Sequence, residues 1–190
     1  MFCIAHLRRQ LSNYVDSLDT SVWHFLRPET QKFVKEAMFP ILKQEQHKKA
    51  ASLLADFIGE LGATMKTLKE EVKAVCPQEG LQWNELMQNI WSLLTSNTEV
   101  LIQSALQIMG ILFTYCEVEF AQFKDELVPL FKQTLEHESL KIRAVSIESM
   151  SAFLKNVDSK DCKSMVELIP QVLATVLIII DKDEDLVSAL

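Results

Sequence analysis

The feature that most constrains this chain is that it repeats itself. Glu85-Leu86-Met87-Gln88 returns as Glu126-Leu127-Val128-Pro129 and again as Glu167-Leu168-Ile169-Pro170, in two steps of 41 residues. A second run, Ser104-Ala105-Leu106, is echoed by Arg143-Ala144-Val145 and by Ser188-Ala189-Leu190. A repeat of this length is the signature of a stacked array. Each unit is one supersecondary element that cannot bury its apolar faces alone and is covered by its neighbours.

The units are helical. Apolar residues recur at three- and four-residue spacings almost throughout. Only 4 glycines and 5 prolines interrupt 190 residues, too few for the corners of a sheet protein. Residues 29–45 read as a helix with Phe33, Val34, Ala37, Met38, Ile41 and Leu42 on its buried side. Pro40 should bend it, having no N–H and crowding the preceding turn. Residues 46–61 follow as a second helix carrying Ala50, Leu54, Phe57, Ile58 and Leu61. Residues 82–95 then pair with 98–115, and 120–136 with 139–155. Residues 160–180 precede a helix starting near Asp183.

Two helices per unit of about forty residues favour a HEAT array over an armadillo one, so the expected fold is an all-α superhelix of about four hairpins. Its expected layout is a partial repeat over 1–20 (with 2–11 as one helix), a hairpin over 21–62 and an insert over 63–80. Hairpins over 81–116 and 117–157 and a partial hairpin over 158–190 complete it. Part of the insert should be a short helix, stopped by Cys76-Pro77-Gln78-Glu79-Gly80. Neither end carries the polar cap that a solenoid needs, so the chain reads as a portion of a longer one.

Composition narrows the function classes. Charged residues are 24% and apolar residues 48%, the balance of a globular protein. A formal net charge of −7 argues against direct nucleic-acid binding, which needs a basic footprint, and suits a basic protein partner. The basic pairs Arg8-Arg9 and Lys48-Lys49 read as solvated helix positions. Cys3, Cys76, Cys116 and Cys162 are far apart, with no histidine at ligand spacing, and read as small buried hydrophobes in a reducing compartment. The start is no signal peptide, and the apolar run 176–180 is too short to span a bilayer.

No catalytic set is readable, and neither a metal nor a cofactor is expected. His6, His24, His47 and His137 share no motif and read as surface or hairpin-loop residues. The glycines form no phosphate loop. The cluster Asp181-Lys182-Asp183-Glu184-Asp185 lacks the central glycine and terminal glutamate of a calcium loop, and reads as a turn with an acidic helix start. Trp83 should pack on the preceding hairpin, while Trp91, Phe113, Phe131 and Phe153 read as core.

What remains is surface. The second helices carry polar stripes: Lys49, Ser52, Asp56 and Glu60; Gln103, Gln107 and Thr114; Lys141, Glu148 and Lys155. In a curved solenoid such rows share one continuous face, often the binding face, and these ten residues are the candidate partner-binding set.

Several segments together resemble the importin-β (karyopherin-β) superfamily, most closely its importin-β3 branch. IAHLRRQLS is similar to the end of a first repeat. QWNELMQNIWSLL resembles the family's Trp-Pro-Glu-Leu-Leu helix start, with Asn84 in place of proline. ELVPLFKQTLEHESLKIRAVSIESMSAFL resembles a full unit with its early proline, Pro129, and its second-helix basic residue, Arg143. ELIPQVLATVLIIIDKDEDLVSAL resembles the next unit. The insert before Trp83 is longer than the family's usual acidic turn, and Gln88 and Gln103 stand near where Pro129 and Arg143 would recur.

The resemblance implies a nuclear transport receptor that works by binding alone. Its implied partners are Ran-GTP, cargo bearing a basic localisation signal, and Phe-Gly nucleoporins. It implies no membrane insertion and shuttling between cytoplasm and nucleus. The same repeats would also serve a HEAT scaffold of another complex, such as a phosphatase regulatory or vesicle-coat subunit. A compact helical enzyme is the remaining alternative.

Overall fold

The computed structural model describes residues 14–15, 20–66, 83, 85–115, 123–156 and 163–182. Its architecture is all-α, as the repeat predicts. Seven α-helices are described: α1 (Pro28–Gln44), α2 (Lys48–Lys66), α3 (Leu86–Leu94), α4 (Glu99–Tyr115), α5 (Lys124–Leu135), α6 (Leu140–Asn156) and α7 (Ile169–Lys182). They form the hairpins α1/α2, α3/α4 and α5/α6, with α7 opening a further unit behind a 3-10 turn, Lys163–Leu168. The second helices begin at Lys48, Glu99 and Leu140, the last two 41 residues apart, as the sequence step requires.

A small element precedes the first hairpin. Strands β1 (Tyr14–Val15) and β2 (Thr20–Ser21) pair antiparallel, Tyr14 opposite Ser21, and a 3-10 turn over Val22–Phe25 leads toward α1. The expected helix over 2–11, the short helix after residue 66, the four cysteines, His6 and the helix starting near Asp183 lie outside the described residues.

Local chemistry sets the hairpin corners. Pro28 opens α1 at a position where a missing N–H costs nothing. Glu45 turns its carboxylate onto the backbone N–H of His47, 2.8 Å away, closing the three-residue link to α2. Pro40 and Pro129 stand inside α1 and α5 on exposed surface, and both helices run on through them.

The stack is built on its second helices. Helix α4 packs against α2 on one side and α6 on the other, with α3 behind it. It buries Ile102, Ala105, Leu106, Ile108, Met109, Leu112 and Phe113, apolar nearly all round, as a helix covered from three directions must be. Phe113 stands edge-on to Phe153 of α6 at 5.1 Å and tilted to Phe131 of α5 at 6.3 Å, joining three helices through one aromatic cluster. Trp83 meets Phe39 of α1 edge-on at 5.7 Å, the predicted contact with the preceding hairpin. Trp91 is half-buried at the core margin.

Small residues permit the tight layer. A Cβ on Gly59 of α2 would stand 2.9 Å from Cδ1 of Ile111, and one on Gly62 2.9 Å from Cδ2 of Leu86. Gly59 and Gly110 occupy the same position in α2 and α4, counted from each helix start. The first helices α1 and α3 instead diverge around a cleft of about 720 Å³ floored by Phe39 and Trp83. A layer packed closely on one side and splayed on the other curves toward the close side, which places the second helices on the concave face.

Four expectations are corrected. Phe33 and Ile41 do not face the core of α1; they are 70% and 50% exposed. The buried side carries Gln31, Met38, Phe39 and Leu42, with Gln31 held by the Trp23 carbonyl and Phe39 by the Trp83 ring, in a helix that is apolar on two adjoining edges. His24 is no surface residue. It is buried in the 3-10 turn beside Trp23, whose carbonyl accepts from Gln31 Nε2 at 2.8 Å. The apolar stretch near the end is longer than 176–180. Residues 164–181 are helical, and long and apolar enough to cross a membrane by length and composition alone. Within it Met165, Leu168 and Ile179 are buried, while Ile169, Leu173, Leu177 and Ile180 are exposed. Helix α2 also runs to Lys66, burying Ala63 and Met65 in what was read as the start of the insert.

Candidate functional site

Close stacking of the second helices leaves a groove across their solvent-facing surface. It has a volume of about 410 Å³ and takes residues from all three: Asp56 and Glu60 from α2; Leu106, Gln107, Gly110, Ile111, Thr114 and Tyr115 from α4; Val145, Glu148, Ser149 and Ala152 from α6. The floor is apolar or small. The rim carries three carboxylates, and no lysine, arginine or histidine lines it.

Five of the ten candidate residues meet here: Asp56, Glu60, Gln107, Thr114 and Glu148. Ser52 joins them through Gln107, whose Nε2 donates to Ser52 Oγ at 3.0 Å and to Asp56 Oδ1 at 2.5 Å, tying α2 to α4. Thr114 donates its hydroxyl to the Gly110 carbonyl at 3.0 Å within its own helix. The other four candidates stand apart. Gln103 bonds Glu99 of its own helix at 3.0 Å, and Lys49, Lys141 and Lys155 are exposed outside the groove. The stripes are thus not uniform: acidic residues collect in the groove and lysines lie beyond it.

Glu148 keeps part of its side chain in solvent, yet the surrounding helices push its pKa above the usual glutamate value by burial. An anion held where its charge is poorly solvated favours a cation beside it. Ser149 adds a second unmet demand. It is 2% exposed, and its Oγ has no hydrogen-bond partner. Most helical serines pair with solvent or the carbonyl four residues back, so an orphaned hydroxyl beside a groove stands out.

Sequence reasoning passed over Tyr115, Gly110 and Ser149. Tyr115 ends α4 and is 58% exposed at the mouth. Val145 and Ala152 continue the face of Glu148 three residues before and four after it, a helical spacing legible in the sequence, and Ser149 lies four residues beyond Val145 on the adjoining buried edge. Gly110 carried no sequence signal, since its role is a contact with another helix.

Arg143, the basic residue of the second helix, is not in the groove. Its Nε donates to the His137 carbonyl, and His137 Nδ1 accepts from Ser139 N at 3.0 Å, so the pair fastens the α5/α6 corner. On the opposite face, the cleft between α1 and α3 mixes Glu29, Lys32, Lys35, Glu36 and Glu85 around its aromatic floor. Burial lowers the Lys35 pKa, partly offset by the attraction of Glu85.

Comparison with known families decides the kinship. The family model described as IPO5-like, TPR repeats matches residues 63–190, more than half of the chain. The chain belongs to the IPO5-like family. The match takes in α3 to α7, and with them every groove residue except Asp56 and Glu60. It supports an importin-β-like helical repeat region, in agreement with the HEAT reading. No curated protein matches the chain and no solved structure does. Among the described residues no group of three or more histidine, cysteine, aspartate or glutamate side chains is arranged to hold a metal ion.

Proposed function

We propose that this IPO5-like protein is a nuclear transport receptor of importin-β type, of the importin-β3 branch, that acts by binding and not by catalysis. The observation that carries the reading is the acidic groove on the inner, second-helix face of a repeat region belonging to this family. A concave surface lined by carboxylates attracts basic protein segments and holds them over several repeats at once. Its partners in this reading are Ran-GTP and cargo with a basic localisation signal. Phe-Gly nucleoporins would use the outer cleft, where Phe39 and Trp83 form an aromatic floor suited to a phenylalanine side chain. The protein would shuttle between cytoplasm and nucleus, with no direct nucleic-acid contact and no membrane insertion.

Coupling between Ran and cargo follows from the architecture. Two ligands that favour different curvatures of one stack oppose each other, and the antagonism is reciprocal in free energy. The test is biolayer interferometry of the 190-residue chain against Ran loaded with a non-hydrolysable GTP analogue and against Ran-GDP. Selective binding of the GTP form is expected. Equal binding of both forms, or of neither, defeats the reading.

A further inference from the structure

We propose that the exposed apolar edge of α7 is a self-association surface, which pairs with α7 of a second copy of this chain. The inference stands apart from the reading of the second-helix groove, which is built on α2, α4 and α6.

Two apolar edges run along this last stretch of helix. Met165, Leu168 and Ile179 are buried, and Thr175 with them. The other edge is open: Val166, Ile169, Leu173, Val176 and Ile180, with Leu177 beside them, are between 36% and 66% exposed. The first five are spaced by three, four, three and four residues. That alternation is the seam of a coiled coil, a narrow stripe that meets one further helix. Val166 belongs to the 3-10 turn and prolongs the row by one step; the other four lie in α7 itself.

The occupant this edge fits best is a copy of itself. From Ile169 to Ile180 the helix has no charged residue, so two such edges meet without repulsion although the whole chain carries −7. The area agrees. The six side chains leave on the order of 600 Å² of apolar surface in solvent, at the upper limit of what a monomer shows in one patch. Covering the edge on two copies removes about 1,200 Å², the lower bound of a specific, stable interface. A two-fold contact uses one patch twice and then closes, so no other surface is required. In its antiparallel form the helix dipoles oppose favourably, and Leu173 of each copy meets Val176 of the other at the centre.

A lipid surface fits less well. Residues 164–181 are long and apolar enough to cross a bilayer, but Met165, Leu168, Thr175 and Ile179 would have to leave the protein core to do so. A helix lying on a bilayer needs a polar face rich in lysine and arginine, and the side of α7 away from the seam is partly buried in the protein.

The test is sedimentation velocity of the full chain over about 1–100 µM, the range in which an interface of this size is half-formed or better. The sedimentation coefficient should rise from monomer to dimer and stop there. Leu173→Glu and Leu177→Glu each alter an exposed side chain, so the fold is kept, and an unchanged helical circular dichroism spectrum verifies this. Leu173→Glu should weaken association roughly tenfold or more, as loss of a central anchor does. Phe33→Glu, at a 70% exposed position of α1, should leave it unchanged.

A monomer at every concentration overturns the proposal, as does association that Leu173→Glu leaves intact or that continues past the dimer. If the chain is monomeric but associates once residues 183–190 are deleted, the chain's own end covers the edge and the proposal fails. It fails equally if the chain stays monomeric yet floats with phosphatidylcholine vesicles in a manner that Leu173→Glu abolishes.

Discussion

Substituting alanine for Gly59 and for Gly110 separates helix propensity from packing. Both residues lie in helix interiors, at the same position of α2 and α4. An isolated helix gains about 1 kcal/mol from either change. The neighbours differ. At Gly110 the new Cβ meets Ser149 Cα at 3.5 Å and Cβ at 3.8 Å, both ordinary contacts. At Gly59 it would stand 2.9 Å from Ile111 Cδ1, 3.0 Å from its Cβ and 3.2 Å from its Cγ2. The Cβ of an isoleucine cannot swing aside as a chain end can, so the α2–α4 spacing must open by several tenths of an ångström. Overpacking of this kind costs about 1–3 kcal/mol. Gly110→Ala should therefore stabilise the protein by about 0.5–1 kcal/mol, while Gly59→Ala gains nothing or destabilises by up to about 2 kcal/mol. Gly62→Ala should fall between them, because its close neighbours are the terminal methyls of Leu86 and Leu112. Urea unfolding measures all three as shifts in midpoint at an unchanged slope. Finding Gly59→Ala as stable as Gly110→Ala would refute the argument that close approach at Gly59 sets the spacing of the second helices.

Thr134 and Ser146 form a buried hydroxyl pair at 2.6 Å, and Thr134 also reaches the Leu130 carbonyl at 3.0 Å. Ser146→Ala leaves Thr134 its carbonyl partner and should cost about 1 kcal/mol or less, whereas Thr134→Val strands the Ser146 hydroxyl and should cost about 1–3 kcal/mol in the same unfolding assay. Phe113→Ala removes the ring that joins α4 to α5 and α6 and should cost about 3–5 kcal/mol, read as a large fall in thermal midpoint. Glu148 has its pKa raised by burial. Its contribution to stability is therefore fully present below the ordinary glutamate pKa and is lost as pH rises through the higher folded value. Glu148→Gln should raise the urea midpoint at pH 7 and leave it unchanged at pH 3; an equal gain at both pH values contradicts the assignment.

The sequence by itself determined the repeat unit, the helices and most of the core. The 41-residue step locates the second helices at Glu99 and Leu140, and helical spacing correctly assigns Leu54, Phe57, Ile58 and Leu61 to the buried side of α2. These features are local: a period of 3.6 and a corner residue are written into each stretch of chain. Tertiary structure decided what periodicity leaves open. Helix α1 has adjoining apolar edges at 33/37/41 and 34/38/42, and a pattern cannot say which one a neighbour will cover. Only the packing of other elements on α1 leaves Phe33 and Ile41 exposed. The same holds for His24, which is buried by elements beyond its own turn. The groove is the clearest case. Asp56 and Glu148 are each visible as surface acids, but nothing local relates them. They share a site because α2, α4 and α6 cross at a register set by side chains that are absent at Gly59 and Gly110. A missing Cβ has no periodicity, and its meaning appears only when another helix packs against it.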